Sequence, residues 1–309
     1  MTNLELQHTI LTKSAGAWNH GEIKYLVISP VRNEAEHIEK TIVSMLNQTI
    51  KPTEWIIVDD GSKDRTYEIV KKYSEKYEWI EIIRRADRGF AEPGRGVMEA
   101  FYAGFDNRTC NDFDFIVKLD GDLSFDLSYF ESLFKKFSEN SKLGLAGGVC
   151  YIKLNGRLEL EAHPEFHVRG PTKVYRRECW ERIGGLVKHL GWDTIDEIAA
   201  QYHGWETKSF KDLKVIHYKI TGNTTGAFKW AIKCGKGNYY CGYHPLFVLA
   251  KGVRRMILKQ PYLFNGIGVI LGFFSCYLRK EDRYEDLEII KYLRKEQIKK
   301  LLFRPGIWR

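Results

Sequence analysis

Three apolar, β-branched stretches end in acidic or amide residues, and this repetition constrains the fold more than any other feature of the chain. "IKYLVIS" (23–29) leads into Pro30, Arg32, Asn33 and Glu34; "WIIVDD" (55–60) closes on Asp59 and Asp60; "FDFIVKLD" (113–120) reaches Asp120 and, after Gly121, Asp122. Continuous apolar runs of this length predict strands buried on both faces. "WIEII" (79–83) predicts one more. Between them the apolar spacing becomes helical. Ile38, Ile42, Met45 and Leu46 share one face, as do Tyr67, Val70 and Tyr73 behind Ser62, which is placed to cap their helix. "VMEAFYAGF" (97–105) and the set Tyr129, Leu133, Phe134 and Phe137 predict two more helices. Strands alternating with helices predict an α/β fold, a mostly parallel sheet covered on both faces. Ligands of such sheets bind beyond the carboxyl ends of the strands, where all three polar strand ends fall. Asp120 and Asp122, one residue apart, repel each other unless something positive, such as a metal ion, sits between them.

The loop after the first strand excludes two nucleotide folds. It reads "SPVRNEAEH", without the G-x-G-x-x-G of a dinucleotide binder, and no G-x-x-x-x-G-K-[ST] occurs anywhere. Phosphates are therefore neutralised by something other than a glycine-rich loop. Six cysteines form no C-x-x-C pair, which fits a reduced protein better than a disulfide or zinc framework. "MTNLELQHTILTKSAGAWNH" has neither a basic start nor an apolar block, so a cytoplasmic protein is expected. The net charge of +8 is uneven. From Lys229 onward there are 17 Lys and Arg against 6 Asp and Glu, whereas the remainder holds 31 basic and 34 acidic residues. That acidic remainder offers no basic and aromatic platform for nucleic acid.

"VISPVRNEAEHIEKTIVSMLNQT", "IIVDDGSKDRT", "GRGVMEAFYAGF" and "VKLDGDLSF" resemble, in order and spacing, the successive blocks of inverting family 2 glycosyltransferases. "RGPTKVYRRECWERIGGL" and "LGWDTIDEIAAQYHGW" resemble the acceptor-side blocks of the same family, so the likeness covers roughly residues 23 to 217. It implies the GT-A fold, Rossmann-like with a mostly parallel sheet flanked by helices, and a nucleotide-diphosphate sugar as donor. Pro30, Arg32 and Glu34 match positions around the nucleoside, with Arg32 where an aromatic often stands. Asp60 matches the acceptor of a hydrogen bond from the base. Arg95, in "PGRGV", could lie against the diphosphate. Asp122 would hold Mn²⁺ or Mg²⁺, Asp120 would contact the ribose or a metal-bound water, and His217 matches a histidine that completes the metal site in some relatives. The general base of the family is an aspartate in an acidic dipeptide opening a helix; the aligned pair here is Trp192-Asp193, which makes Asp193 the base. Asp196 and Glu197 are its fallbacks.

The organisation expected is an N-terminal extension (1–22), a GT-A domain (23–227) and a basic helical C-terminal region (228–309). "LGLAGGVCYI" and "KVIHYKI" predict strands, and "RRECWERIGGL" a short helix closed by Gly184 and Gly185. "HPEFHVRGPTKVYRR", with His163, His167, Arg169, Lys173, Arg176 and Arg177, could meet the hydroxyls or phosphate of an acceptor. The resemblance lacks the Q-x-x-R-W block of processive synthases, so transfer of one sugar is expected. In "HPLFVLAKGVRRMILK" (244–259), Leu246, Leu249, Val253 and Ile257 face one side and Lys251, Arg254, Arg255 and Lys259 another. Such a basic amphipathic helix suits an anionic membrane surface. "YLFNGIGVILGFFSCYL" (262–278) is at the short limit for a span and diluted by glycines, so an interfacial hairpin is expected. A glycan or lipid-linked acceptor at the inner membrane surface fits these features. The alternatives are a polyprenyl-phosphate sugar transferase and a non-catalytic glycan or nucleotide binder retaining the fold.

Overall fold

The computed structural model describes residues 23–90, 92–154, 157–161, 163–219, 226–258 and 262–308; the proposed N-terminal extension and Lys259 lie outside the described residues. The parallel half of the sheet is built from β1 (Tyr25–Val31), β2 (Glu54–Asp59), β3 (Ile80–Arg84) and β4 (Phe115–Leu119) in the order β3-β2-β1-β4. These strands sit where the apolar runs predicted, shifted by a residue or two. Side chains alternate as a pleated strand requires. Tyr25 and Val27 enter one apolar cluster with Trp55, Ile57 and Val117, while Leu26 and Ile28 enter the opposite one with Ile56, Val58 and Ile116. Helices α1 (Ile38–Leu46) and α2 (Thr66–Ser74) cover the first face, and α3 (Arg95–Asp106) the second. The buried polar tips are satisfied: Tyr25 donates to the Ile50 carbonyl at 2.8 Å and Trp55 to the Ser29 hydroxyl at 2.9 Å.

Beyond β4 the sheet becomes mixed. β5 (Leu123–Phe125) leads to α4 (Tyr129–Glu139), then β6 (Leu143–Leu154), β7 (Arg157–Leu160), β8 (Thr172–Arg176), α5 (Arg177–Ile183), α6 (Trp192–Tyr202) and β9 (Glu206–His217). The strand order runs on from β4 as β8-β6-β9-β5, with β8 antiparallel to both β4 and β6. The sequence hid β8 because "TKVYR" lies inside a stretch rich in cations. It also shortened β9, which begins eight residues before "KVIHYKI". Ser62 does not cap α2. Its hydroxyl accepts from the Asn33 N–H, and Asp64 binds the Thr66 N–H instead.

Four helices follow: α7 (Ala227–Tyr240), α8 (Pro245–Leu258), α9 (Tyr262–Arg279) and α10 (Leu287–Leu301). They share a core with α6, in which Ile195, Ile198 and Ala199 meet Tyr239, Val269, Phe273 and Leu293. The C-terminal region is thus packed on the helix that opens with Trp192-Asp193. All six cysteines are free.

Candidate active site

The parallel register brings the three polar strand ends together. Val31 pairs with Asp59 and Ile28 with Lys118, so residues 32–34, 59–60 and 120–122 leave the sheet at one edge. Pro30 follows the last β1–β4 pair, where a missing backbone donor costs the ladder least. The first two loops are sewn to each other: Asn33 N–H binds Ser62, Glu34 N–H binds Thr66 at 2.8 Å, Ala35 N–H binds Asp64, and Lys63 N–H binds the Asn33 side chain. Asn33 holds a left-handed backbone there, at φ 54°.

Arginines that the sequence reading passed over organise the Asp60 side. Arg85 and Arg88 both donate to Asp60 Oδ1 at 2.7 Å. Arg32 spans the Asp60 carbonyl and the Asp87 carboxylate, and its grip holds the Asp87 carboxyl down to about 2. Arg32 is therefore fixed as a planar cation beside Asp60. Arg95 is largely solvent-exposed and pairs with Glu99 at 2.8 Å; Glu99 in turn lies 3.7 Å from Arg88. It joins this lattice from its outer end, and the structure does not bring it to Asp120 or Asp122. "RRADR" directly after the third strand was the available signal, at the same sheet edge as the acids.

On the neighbouring side negative charge accumulates. Asp122 is 5% exposed and lies 3.4 Å from His217, which lies 3.4 Å from Glu161 on its other ring nitrogen. β5 pairs Leu123 with His217, which holds the two in register. Burial would lower the His217 pKa, yet Asp122 and Glu161 overcome it and raise the imidazole to about 9. Glu34 meets Lys219 at 2.6 Å, but burial and the facing Asp122 push its carboxyl up to about 8. Asp120 is also raised by burial, although Lys118, donating to it and to the Gly170 carbonyl, opposes that. Among the described residues no cluster of three ligand-type side chains could hold a metal unaided. The Asp122 carboxylate still fits a Mn²⁺ or Mg²⁺ site, because such ions are often held by one or two carboxylates plus substrate phosphates. His217 would join it as a ligand only on giving up the proton that Asp122 and Glu161 now hold on it.

The Gly170–Pro171 segment separates this group from the third part of the site. Pro171 accepts from Asp120 N–H at 2.8 Å, and a side chain at Gly170 would approach Trp192 and the Asp193 carboxylate. Asp193 sits in the first turn of α6, and among the described residues its carboxylate accepts no hydrogen bond. Its fallbacks differ. Asp196 and Glu197 are buried on Lys173, whose ammonium is fully enclosed and also donates to the Asp193 carbonyl at 3.0 Å. Tyr175 donates to Asp196, and the Val168 N–H to Glu197. Neither acid is free to take a proton from a substrate. Nor are Lys173 and Arg176 available to an acceptor, since Arg176 is spent on the carbonyls of Phe137 and Leu143. Trp192, standing where an acid was expected, is buried with the Lys118 and Lys173 ammonium groups each 5.3 Å from its ring.

One backbone contact ties the two sides. Gly94, at φ 85°, comes so close to Leu190 that a Cβ would lie 2.6 Å from its Cα. Only glycine suits that conformation and that distance.

Comparison with known proteins agrees with this geometry. The chain is 32% identical over 114 residues to the cholesterol galactosyltransferase of Borreliella burgdorferi, 37% of this chain and 29% of that protein. It is 28% identical over 177 residues to glycosyltransferase AglE of Haloferax volcanii, 56% of this chain and 54% of that protein. It thus spans well under two thirds of the length of these curated relatives. Its fold is similar to that of the mannosyltransferase PcManGT from Pyrobaculum calidifontis, solved with GDP-Man and Mn²⁺, at TM-score 0.53, 15% identity, and coverage of 98% of this chain and 94% of that one. This shows a GT-A fold. The model described as glycosyl transferase family 2 matches residues 26–190, more than half of the sequence, and the chain belongs to that family.

Proposed function

We propose that the protein transfers a single sugar from a nucleotide-diphosphate donor to a hydroxyl acceptor, with inversion at the anomeric carbon. The carrying observation is the placement of Glu34, Asp120 and Asp122 at one sheet edge with the Asp193 carboxylate, unbonded among the described residues, across the Gly170 segment. The nucleoside lies along Pro30, Arg32 and Glu34, and Asp60, held by Arg85 and Arg88, accepts from its base. Asp122 and His217 would hold Mn²⁺ or Mg²⁺, which as a Lewis acid would offset the charge growing on the departing diphosphate. Mn²⁺ and GDP-Man in the PcManGT complex support a nucleotide-sugar donor accompanied by a divalent metal.

In the transfer itself the acceptor oxygen forms its bond to the anomeric carbon while the bond to the diphosphate oxygen breaks. The diphosphate leaves with the electron pair, and the hydroxyl proton passes to Asp193. One displacement without a covalent intermediate inverts the configuration. A glycan or lipid-linked acceptor at a membrane surface fits the basic C-terminal helices; a lipid phosphate as acceptor is the second reading, favoured by the apolar side chains those helices expose. Free cysteines suit the reducing, cytoplasmic side of that membrane.

A thermal-shift screen of nucleotide-diphosphate sugars with and without Mn²⁺ tests the donor, since a ligand of the folded state raises Tm. The expected result is a metal-dependent shift with one sugar nucleotide and an inverted product by NMR. A retained anomeric configuration would refute the single displacement.

A further inference from the structure

α8 and α9 expose what helices of a water-soluble domain bury. Leu246, Leu249, Val253 and Ile257 recur at helical spacing along α8, and Ile257 is 67% exposed. On α9, Leu263 and Phe264 at one end and Leu271 and Leu278 further along are exposed too, Leu278 at 80%. The opposite faces of both helices are fully engaged. A Cβ at Gly272 would lie 2.1 Å from the Ile232 carbonyl oxygen on α7, one at Gly235 would lie 2.2 Å from that of Val269, and one at Gly266 would lie 2.3 Å from that of Gly252 on α8. The backbones thus touch through glycines, and the bulky side chains have been left on the outside. By length and composition α9 could cross a bilayer, with mean hydropathy 1.3, but one flank is committed to α7 and α8 and Asn265 is buried there.

We propose that the outer side of the α8–α9 hairpin lies flat in the interfacial region of an anionic bilayer. Charge selects this occupant over a second copy of the chain. The region from Lys229 onward carries 17 Lys and Arg against 6 Asp and Glu, and Lys229, Arg254 and Lys280 are exposed. Two copies brought together through this region would oppose like net charge, whereas anionic headgroups would attract it while the leucines enter the acyl boundary. The depth follows from the packing. α9 lies on α7, and Gly237 of α7 lies against Leu190, just before Asp193. Two helix layers at about 8–10 Å each put the start of α6 roughly 20 Å from the lipid. The docked enzyme would receive an acceptor group that projects clear of the headgroups; only this consequence rests on the transferase reading.

The test is sedimentation of the full chain with phosphatidylcholine vesicles with and without phosphatidylglycerol. It compares wild type with the Val253→Glu, Ile257→Glu, Leu271→Glu triple variant. The expected result is binding that requires phosphatidylglycerol, weakens with added NaCl, and falls at least tenfold in the triple variant, while that variant keeps the wild-type Tm and sugar-nucleotide thermal shift. Equal binding by the triple variant, or no binding by wild type, overturns the proposal. So does lipid-free dimerisation that the triple variant abolishes, since it assigns the face to a second copy. If vesicle binding holds but no sugar nucleotide shifts Tm, the docking face stands and the transferase reading falls.

Discussion

The strand-end region and the C-terminal hairpin break the burial rule in opposite directions. At the sheet edge, Asp59, Asp60 and Asp122 are withdrawn from water, while on α8 and α9 a row of leucines and other large apolar residues is handed to it. Each arrangement costs free energy in the isolated chain, because charge prefers water and hydrocarbon avoids it. The comparison teaches where to look for ligands: an anion-bearing donor with its cation would relieve the first cost, and a lipid surface the second. The Lys173 network is a third case, buried charge that is fully paired and needs no ligand.

That distinction sets the order of expected effects. Asp193→Asn should lower kcat by about 10²–10⁴-fold with the sugar-nucleotide thermal shift unchanged; a steady-state assay beside the shift measurement checks both halves. Lys173→Met should cost about 3–5 kcal/mol by stranding Asp196 and Glu197, read by urea denaturation. Its pH dependence sharpens the point. Burial already raises the Asp196 carboxyl to about 6, against Lys173. Without the lysine the folded state binds that proton more tightly still, so the variant's deficit should shrink as pH falls from neutrality toward 5. A denaturation series over that range would show it, and a deficit independent of pH would contradict the pairing. Gly272→Ala, which drives a methyl into the Ile232 carbonyl, should cost about 1–3 kcal/mol. Leu271→Ser, its exposed neighbour, should change stability by about 0.5 kcal/mol or less while weakening vesicle binding.

The parallel half was legible because its signal is local. Buried strands read as unbroken apolar runs, and acids at their ends are visible in one dimension. β8 was not, because "TKVYR" carries a lysine that only pairing across to Asp196 makes tolerable inside the protein. The same blindness made Asp196 and Glu197 look like spare bases. Arg85 and Arg88 were missed for another reason: their role depends on the turn that folds them back onto Asp60. Asp193 stood out through its place in an acceptor-side block; that its carboxylate accepts no hydrogen bond among the described residues could be seen only in three dimensions. On α8 the amphipathic spacing was plain in the sequence, whereas which side faces outward was not.

The Gly94–Leu190 pinch joins the arginine loop to the turn that starts α6. Because two backbones touch there with no side chain between them, neither can slide without dragging the other. In the proposed transferase, a nucleotide seated against Arg88 and Asp60 would press on a loop whose backbone abuts the turn leading to Asp193, so the donor and acceptor sides would share one unyielding contact.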